Sequence, residues 1–181
     1  MANWSRIASR VRVPLSFAFA VLYLALARPT WLSLLLGGLV ALAGLGLRAL
    51  ASGHVRKNTE LTTTGPYAYT RNPLYLGSMI LAAGFAVAAR NPWVVVLLGL
   101  LFLAIYLPVV HAEEAYLRSR FPEYADYARR VPRFGICLGT AGVTGGRFSR
   151  ELYLKHREYN AMVGTVLMVA ALVAKLLWAA R

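Results

Sequence analysis

Two clusters of polar and aromatic residues interrupt an otherwise apolar chain. The first runs Thr64-Gly65-Pro66-Tyr67-Ala68-Tyr69-Thr70-Arg71-Asn72-Pro73-Leu74-Tyr75-Leu76-Gly77, between two apolar stretches. The second opens at Glu113-Glu114 and continues through Tyr124, Tyr127, Arg129-Arg130 and Val131-Pro132-Arg133. A connector needs only polar residues and a breaker, not tyrosines spaced around a lone arginine at the mouth of a membrane span. Pro66 and Pro73 bias the residues before them to extended backbone, so this segment is not helical throughout. Its free N–H and C=O groups need partners in protein, ligand or water at membrane depth. The chemistry this allows is the binding of a polar ligand by backbone groups, walled off by Tyr67, Tyr69 and Tyr75. A rigid turn with tyrosines in the interfacial belt accounts for the same residues equally well.

In the second cluster, Glu113 and Glu114 point about 100° apart on a helix. One faces a site while the other faces solvent or a partner. Glu114 and Arg118 are spaced for an i, i+4 ion pair. A carboxylate at the end of a membrane helix is costly unless a cation or cationic ligand balances it. Glu113, four residues before Leu117, is expected on the inward side as the ligand contact. Arg129, Arg130 and Arg133 suit lipid phosphates or the acidic group of a substrate, and equally a plain topology role. His54, His111 and His156 stand apart with no metal-ligand spacing, and the residues 142–146 lack the context of a phosphate-binding glycine loop.

The elements that must position these clusters are membrane helices. The chain has 181 residues, 59% hydrophobic, with a mean hydropathy of +0.55. Five apolar stretches stand out, at about Val13–Ala27, Trp31–Leu50, Leu74–Ala89, Trp93–Val110 and Ala161–Trp178. Each approaches the length that crosses a bilayer core, the first and third being short. The first is read as a span rather than a cleaved signal peptide. Residues 1–12 read as a basic amphipathic entry. Glycines 37, 38, 44 and 46 suit close helix packing.

The net charge of +13 is a topology signal. With the N-terminus inside, 16 of the Lys and Arg residues and all seven acidic residues fall on the inner side. Only Arg28, Arg90, Lys175 and Arg181 fall outside. Nucleic-acid binding is not expected, because no binding motif accompanies the charge. The short outer connections Arg28-Pro29-Thr30 and Arg90-Asn91-Pro92 predict two tight helical hairpins. The expected fold is an all-α integral membrane bundle of about five spans, two hairpins plus a C-terminal span. It forms one domain over 1–181, with the N-terminus and both long connections cytosolic and a pocket on that face. Residues 111–130 and 149–160 read as helical, and 135–146 as a glycine-rich connection. Cys137 is the only cysteine, so no intramolecular disulfide forms.

Taken together, Gly65-Pro66-Tyr67, Arg71-Asn72-Pro73-Leu74-Tyr75-Leu76-Gly77, Glu113-Glu114 with Leu117, Phe121, Tyr124 and Tyr127, and Val131-Pro132-Arg133 resemble the isoprenylcysteine carboxyl methyltransferase family. The wider group includes the membrane phospholipid N-methyltransferases. The match covers about residues 54–134, leaving 135–181 as an extension with its own span. The resemblance implies S-adenosylmethionine as cofactor, held at the cytosolic face, and a lipidic methyl acceptor arriving from the bilayer. Residue by residue, it implies cofactor contacts at Tyr67, Arg71, Asn72, Pro73, Tyr75, Leu76, Gly77, Glu113 and Glu114. It offers Arg71, Arg130 and Arg133 as catalytic residues, the latter two holding an acceptor carboxylate.

The carboxyl methyltransferases usually carry His where this chain has Asn72, which leaves room for the phospholipid branch. After Val131-Pro132-Arg133 the family often has a further proline, whereas this chain runs Phe134-Gly135. A carboxylate acceptor needs no general base, while an amine would need a Tyr or Glu to take its proton. No metal is expected. Two other classes compete: an NADPH-dependent membrane reductase, and a non-enzymatic lipid-binding scaffold.

Overall fold

The structure, a computed structural model, describes residues 18–56, 59–135, 137 and 146–179. The expected amphipathic entry, the start of the first span and most of the glycine-rich connection lie outside these residues. Seven helices are described. They are α1 (residues 18–26), α2 (Trp31–Ser52), α3 (Pro73–Ala89), α4 (Pro92–Arg120), α5 (Tyr124–Arg130), α6 (Arg150–Lys155) and α7 (Tyr159–Ala179). There is no strand among the described residues. Helices α2, α4 and α7, of 22, 29 and 21 residues, are long and apolar enough to cross a membrane. Helix α3 is shorter at 17 residues. The protein is an all-α integral membrane bundle.

Both hairpin turns are locked by their own side chains. Thr30 and Ser33 cap each other: Ser33 N donates to Thr30 Oγ1 at 3.2 Å and Thr30 N donates to Ser33 Oγ at 2.9 Å. In the second turn Arg90 adopts a left-handed conformation, φ 50°, and Asn91 Oδ1 accepts from Trp93 N at 3.0 Å. The turns also hold each other. Arg28 N donates to Ala89 O at 2.8 Å, and Asn91 Nδ2 donates to Leu26 O at 2.8 Å. Lys175 Nζ covers the last carbonyls of α1 at Leu24 and Ala25, 2.5 and 3.1 Å away.

Apolar chains do not drive membrane helices together, so close packing of small residues does. Gly37 and Gly44 on α2 are seven residues apart, as are Gly77 and Gly84 on α3. The antiparallel pair faces Gly37 with Gly84 and Gly44 with Gly77. A Cβ built on Gly44 would lie 2.5 Å from Leu81 N, and one on Gly84 would lie 2.5 Å from Gly37 O. Among the described residues a Cβ on Gly38 or Gly46 would meet nothing within 4 Å, so two of the four glycines of α2 serve this seam.

Two predicted helices are broken. Pro122 forces Phe121 to an extended conformation, φ −123° and ψ 109°, so the helix expected over 111–130 becomes the end of α4 and the separate α5. The helix expected over 149–160 stops at Lys155, and Arg157 turns left-handed, φ 52°, before α7 begins. Helix α4 also carries a wide π turn at Phe102–Tyr106. Pro108 lacks an N–H and its ring crowds the carbonyl four residues back, and the π turn relieves that conflict.

Candidate functional site

At the end of the bundle opposite the hairpin turns, the two sequence clusters are stitched together. Pro66 opens a 3-10 turn, Gly65–Ala68, whose first residue is left-handed, φ 58°. Arg71 N donates to Pro132 O at 2.9 Å, and Cys137 N donates to Tyr69 O at 3.0 Å. Thr70 Oγ1 and Asn72 Nδ2 both donate to Arg133 O at 3.3 Å. The Tyr127 hydroxyl donates to Tyr67 O at 2.7 Å. The residues before the two prolines are not extended as expected, Gly65 being left-handed and Asn72 lying at φ −126° and ψ 57°, and the irregular backbone between them finds partners in the other cluster.

Glu114 is the hub, buried with 6% exposure. Asn72 begins α3 but does not cap it; its Nδ2 donates to Glu114 Oε1 at 2.8 Å. Arg133 donates to Oε2 through Nε at 3.0 Å and Nη2 at 2.8 Å. Arg71 Nη1 is 3.6 Å from the same oxygen. Arg133 Nη1 reaches His111 Nε2 at 2.6 Å. A buried carboxylate is tolerated only with this degree of compensation. The expected Glu114–Arg118 pair is not what Glu114 makes: two cations and an amide from distant segments take its oxygens.

Beside this hub lies a cavity of about 490 Å³. The first cluster lines it with Tyr67, Arg71, Asn72 and Tyr75, and α4 adds Tyr106 and Glu113. The Tyr75 hydroxyl donates to Glu113 Oε2 at 2.8 Å, and the Tyr75 and Tyr106 rings meet edge to face with centroids 6.2 Å apart. Glu113, expected on the inward side, is an exposed residue at the cavity, while Glu114 takes the buried position. Burial, and secondarily the Glu113 carboxylate, pushes the Tyr67 phenol well above its ordinary range. Burial does the same to Tyr127, with Tyr124 adding to it. Both phenols stay protonated at neutral pH, and that of Tyr127 donates to Tyr67 O.

The opposite wall comes from α2 and the C-terminal segment. Arg48 Nε donates to Glu158 Oε1 at 2.6 Å, and its Nη1 donates to Ser78 Oγ. His156 Nδ1 lies 3.1 Å from Ser52 O. A carbonyl only accepts, so the His156 proton sits on Nδ1. Ser149 N also bonds Gly53 O at 2.9 Å. Of residues 135–160, to which the sequence assigns no role, the described stretch 146–160 is docked on α2 and closes the cavity with His156 and Glu158.

Of the residues singled out in sequence, Tyr67, Arg71, Asn72, Tyr75 and Glu113 line the cavity. Pro73 is buried at the start of α3, and Gly77 packs on Arg48 and Gly44. Leu76 lies in the first turn of α3, its N–H bonded to Asn72 O at 2.9 Å. Glu114, Leu76, Arg130 and Arg133 are not in the cavity lining. Arg133 has its fork occupied by Glu114, and Arg130 Nε turns back to Asp126 O at 3.4 Å. Sequence reasoning gave no place in the site to Arg48, Ser78, Tyr106, His156 and Glu158, which line the cavity. Arg48 had a readable signal, as a lone cation inside an apolar span.

Residues 39–124 match the phospholipid methyltransferase family. The chain is 35% identical over 133 residues to the cobalt-zinc-cadmium resistance protein CzcN of Cupriavidus metallidurans, covering 68% of this chain and 60% of that protein. It is 34% identical over 113 residues to the nickel-cobalt-cadmium resistance protein NccN of Alcaligenes xylosoxydans xylosoxydans, covering 58% and 52%. It is 33% identical over 91 residues to the protein-S-isoprenylcysteine O-methyltransferase of Schizosaccharomyces pombe, covering 50% and 39%. The chain thus spans about half the length of the curated relatives it matches. No solved structure matches it. The matched residues 39–124 contain the first cluster and the Glu113-Glu114 pair, so the likeness to the phospholipid methyltransferase family and to the isoprenylcysteine O-methyltransferase runs through the residues that build the hub and the cavity.

Proposed function

We propose that the protein transfers a methyl group from S-adenosylmethionine to a lipidic acceptor at the cytosolic membrane face. The observation that carries this reading is the cavity in which Glu113, Tyr75, Tyr106, Arg71 and Asn72 converge. Its volume, about 490 Å³, falls in the range of small-molecule sites. The donor set suits the cofactor. Glu113 offers a carboxylate for an ammonium, the tyrosine faces accept a cation, and Arg71 offers donors to a carboxylate. When bound, the cofactor supplies an activated methyl group on a sulfonium. The chain's own part is to align that group with the acceptor and to exclude water.

The nature of the acceptor divides the reading in two. Arg71 at the cavity supports a carboxylate, as on an isoprenylcysteine-like lipid, which needs no base. Amine transfer is favoured by His156. Its Nδ1 is committed to Ser52 O, which leaves Nε2 to accept a proton from an N–H acceptor. Titration of S-adenosylhomocysteine into nanodisc-held protein tests the shared chemistry. Saturable binding that weakens in Glu113→Ala supports it, and no binding to folded protein rejects it in favour of a reductase or scaffold. Product analysis with a prenylcysteine and an amine phospholipid then separates the acceptors. His156→Gln should lower turnover of the amine lipid and spare that of the prenylcysteine.

A further inference from the structure

Beside the Glu114 hub, α4 and α5 enclose a second concavity of about 450 Å³, which shares Arg71 with the cavity. Arg71, Arg118, Arg129 and Arg133 line it, with Ala125 and Ala128 as the only other residues. No carboxylate contributes to this lining. Arg71 and Arg133 share the single negative charge of Glu114, and Arg129 pairs with Asp126 one turn back on α5. Arg118 has no carboxylate within ion-pair distance among the described residues, because Glu114 faces the other way. The contact of Arg71 to Glu114 is also long, at 3.6 Å. The four guanidinium groups therefore exceed their local counter-charge.

The two alanines decide what this excess can hold. They are three residues apart on α5, on one face, and their small side chains leave room between the arginines. Planar guanidinium forks match oxyanions with several oxygens on one centre. The groove lies at the polar end of the bundle, where lipid head groups lie and anionic ones attract basic segments. Nothing in this depends on the methyl-transfer reading.

We propose that this groove binds a phosphate group, supplied by an anionic lipid head group or by soluble phosphate. The test uses the full chain in detergent and follows its melting temperature during titration with dihexanoyl phosphatidic acid, inorganic phosphate or dihexanoyl phosphatidylcholine. The comparison is the double variant Arg118→Gln/Arg129→Gln, whose residues are outside the Glu114 hub. A second variant, Ala125→Leu, fills the groove without changing charge. Saturable stabilisation by phosphatidic acid, with a midpoint raised about tenfold or more in both variants, is expected. If inorganic phosphate does not act, the lipid is the source; if it acts equally well, soluble phosphate is. Stabilisation that is absent, unchanged in the variants, or matched by phosphatidylcholine would overturn the proposal.

Discussion

The side-chain amide of Asn72 donates to Glu114 at 2.8 Å across 42 positions of sequence, joining the start of α3 to the polar half of α4. The bond fixes an amide where the related carboxyl methyltransferases usually carry an imidazole. It also assigns the two neighbouring glutamates different duties, since the one that holds the two clusters together is not the one at the cavity.

Removing that amide leaves a buried carboxylate oxygen short of a donor. Asn72→Ala should lower stability by about 1–3 kcal/mol. Asn72→Asp should cost more, because it sets a second carboxylate against Glu114. Denaturation of detergent-held protein measures both, and equal stability of Asp and wild type would refute the assignment of the hub.

The two glutamates should separate cleanly by phenotype. Glu113→Gln should weaken S-adenosylhomocysteine binding roughly 10–100-fold, the loss of one charge-assisted contact, with little change in melting temperature. Glu114→Ala strands two arginines and should destabilise by about 3–5 kcal/mol. Calorimetric titration beside thermal unfolding distinguishes them, and a reversed pattern would exchange their roles.

The glycine seam predicts a contrast within one helix. Gly44→Ala should destabilise by about 1–3 kcal/mol, since its Cβ would meet α3 backbone. Gly46→Ala, in open space, should be neutral or gain up to about 1 kcal/mol from helix propensity. Unfolding in a fixed detergent is the comparison, and similar effects at both sites would contradict the packing.

Tyr127 carries an alkaline signature. Its folded phenol titrates above the unfolded value of about 10 because burial disfavours the anion. As pH rises past about 10 the unfolded chain releases the proton first, so the stabilisation is complete below that pH and is lost above it. Tyr127→Phe should lose about 1 kcal/mol at neutral pH, from the bond to Tyr67 O, and show a shallower alkaline decline. An unchanged alkaline slope would show that other groups govern it.

The helices, both hairpin turns and the meeting of the two clusters were legible in sequence, because apolar length, prolines and short polar connections are local signals. Pro73 at the start of α3 is the clearest instance. The partners of Glu114 were not legible. Local spacing favours Arg118, but burial selects the donors that tertiary packing brings, and Arg133 comes from beyond an unforeseen break at Phe121-Pro122. The cavity's far wall was hidden for a similar reason. His156 and Glu158 read as part of a charged helix until Arg157 turns left-handed and sets them against α2.

The wide turn at Phe102–Tyr106 sets the rotational phase between the lipid-facing and polar halves of α4. One residue on an α-helix corresponds to about 100°. If this turn relaxed to ordinary α geometry with no residue removed, Glu113 would swing to the bearing that Glu114 now holds. Deleting one residue there could instead absorb the wide turn and leave the polar half in phase. For this helix, the bearing of its acidic pair is thus governed by a count of residues in the apolar half, and a deletion there can be milder than a refolding of the same residues.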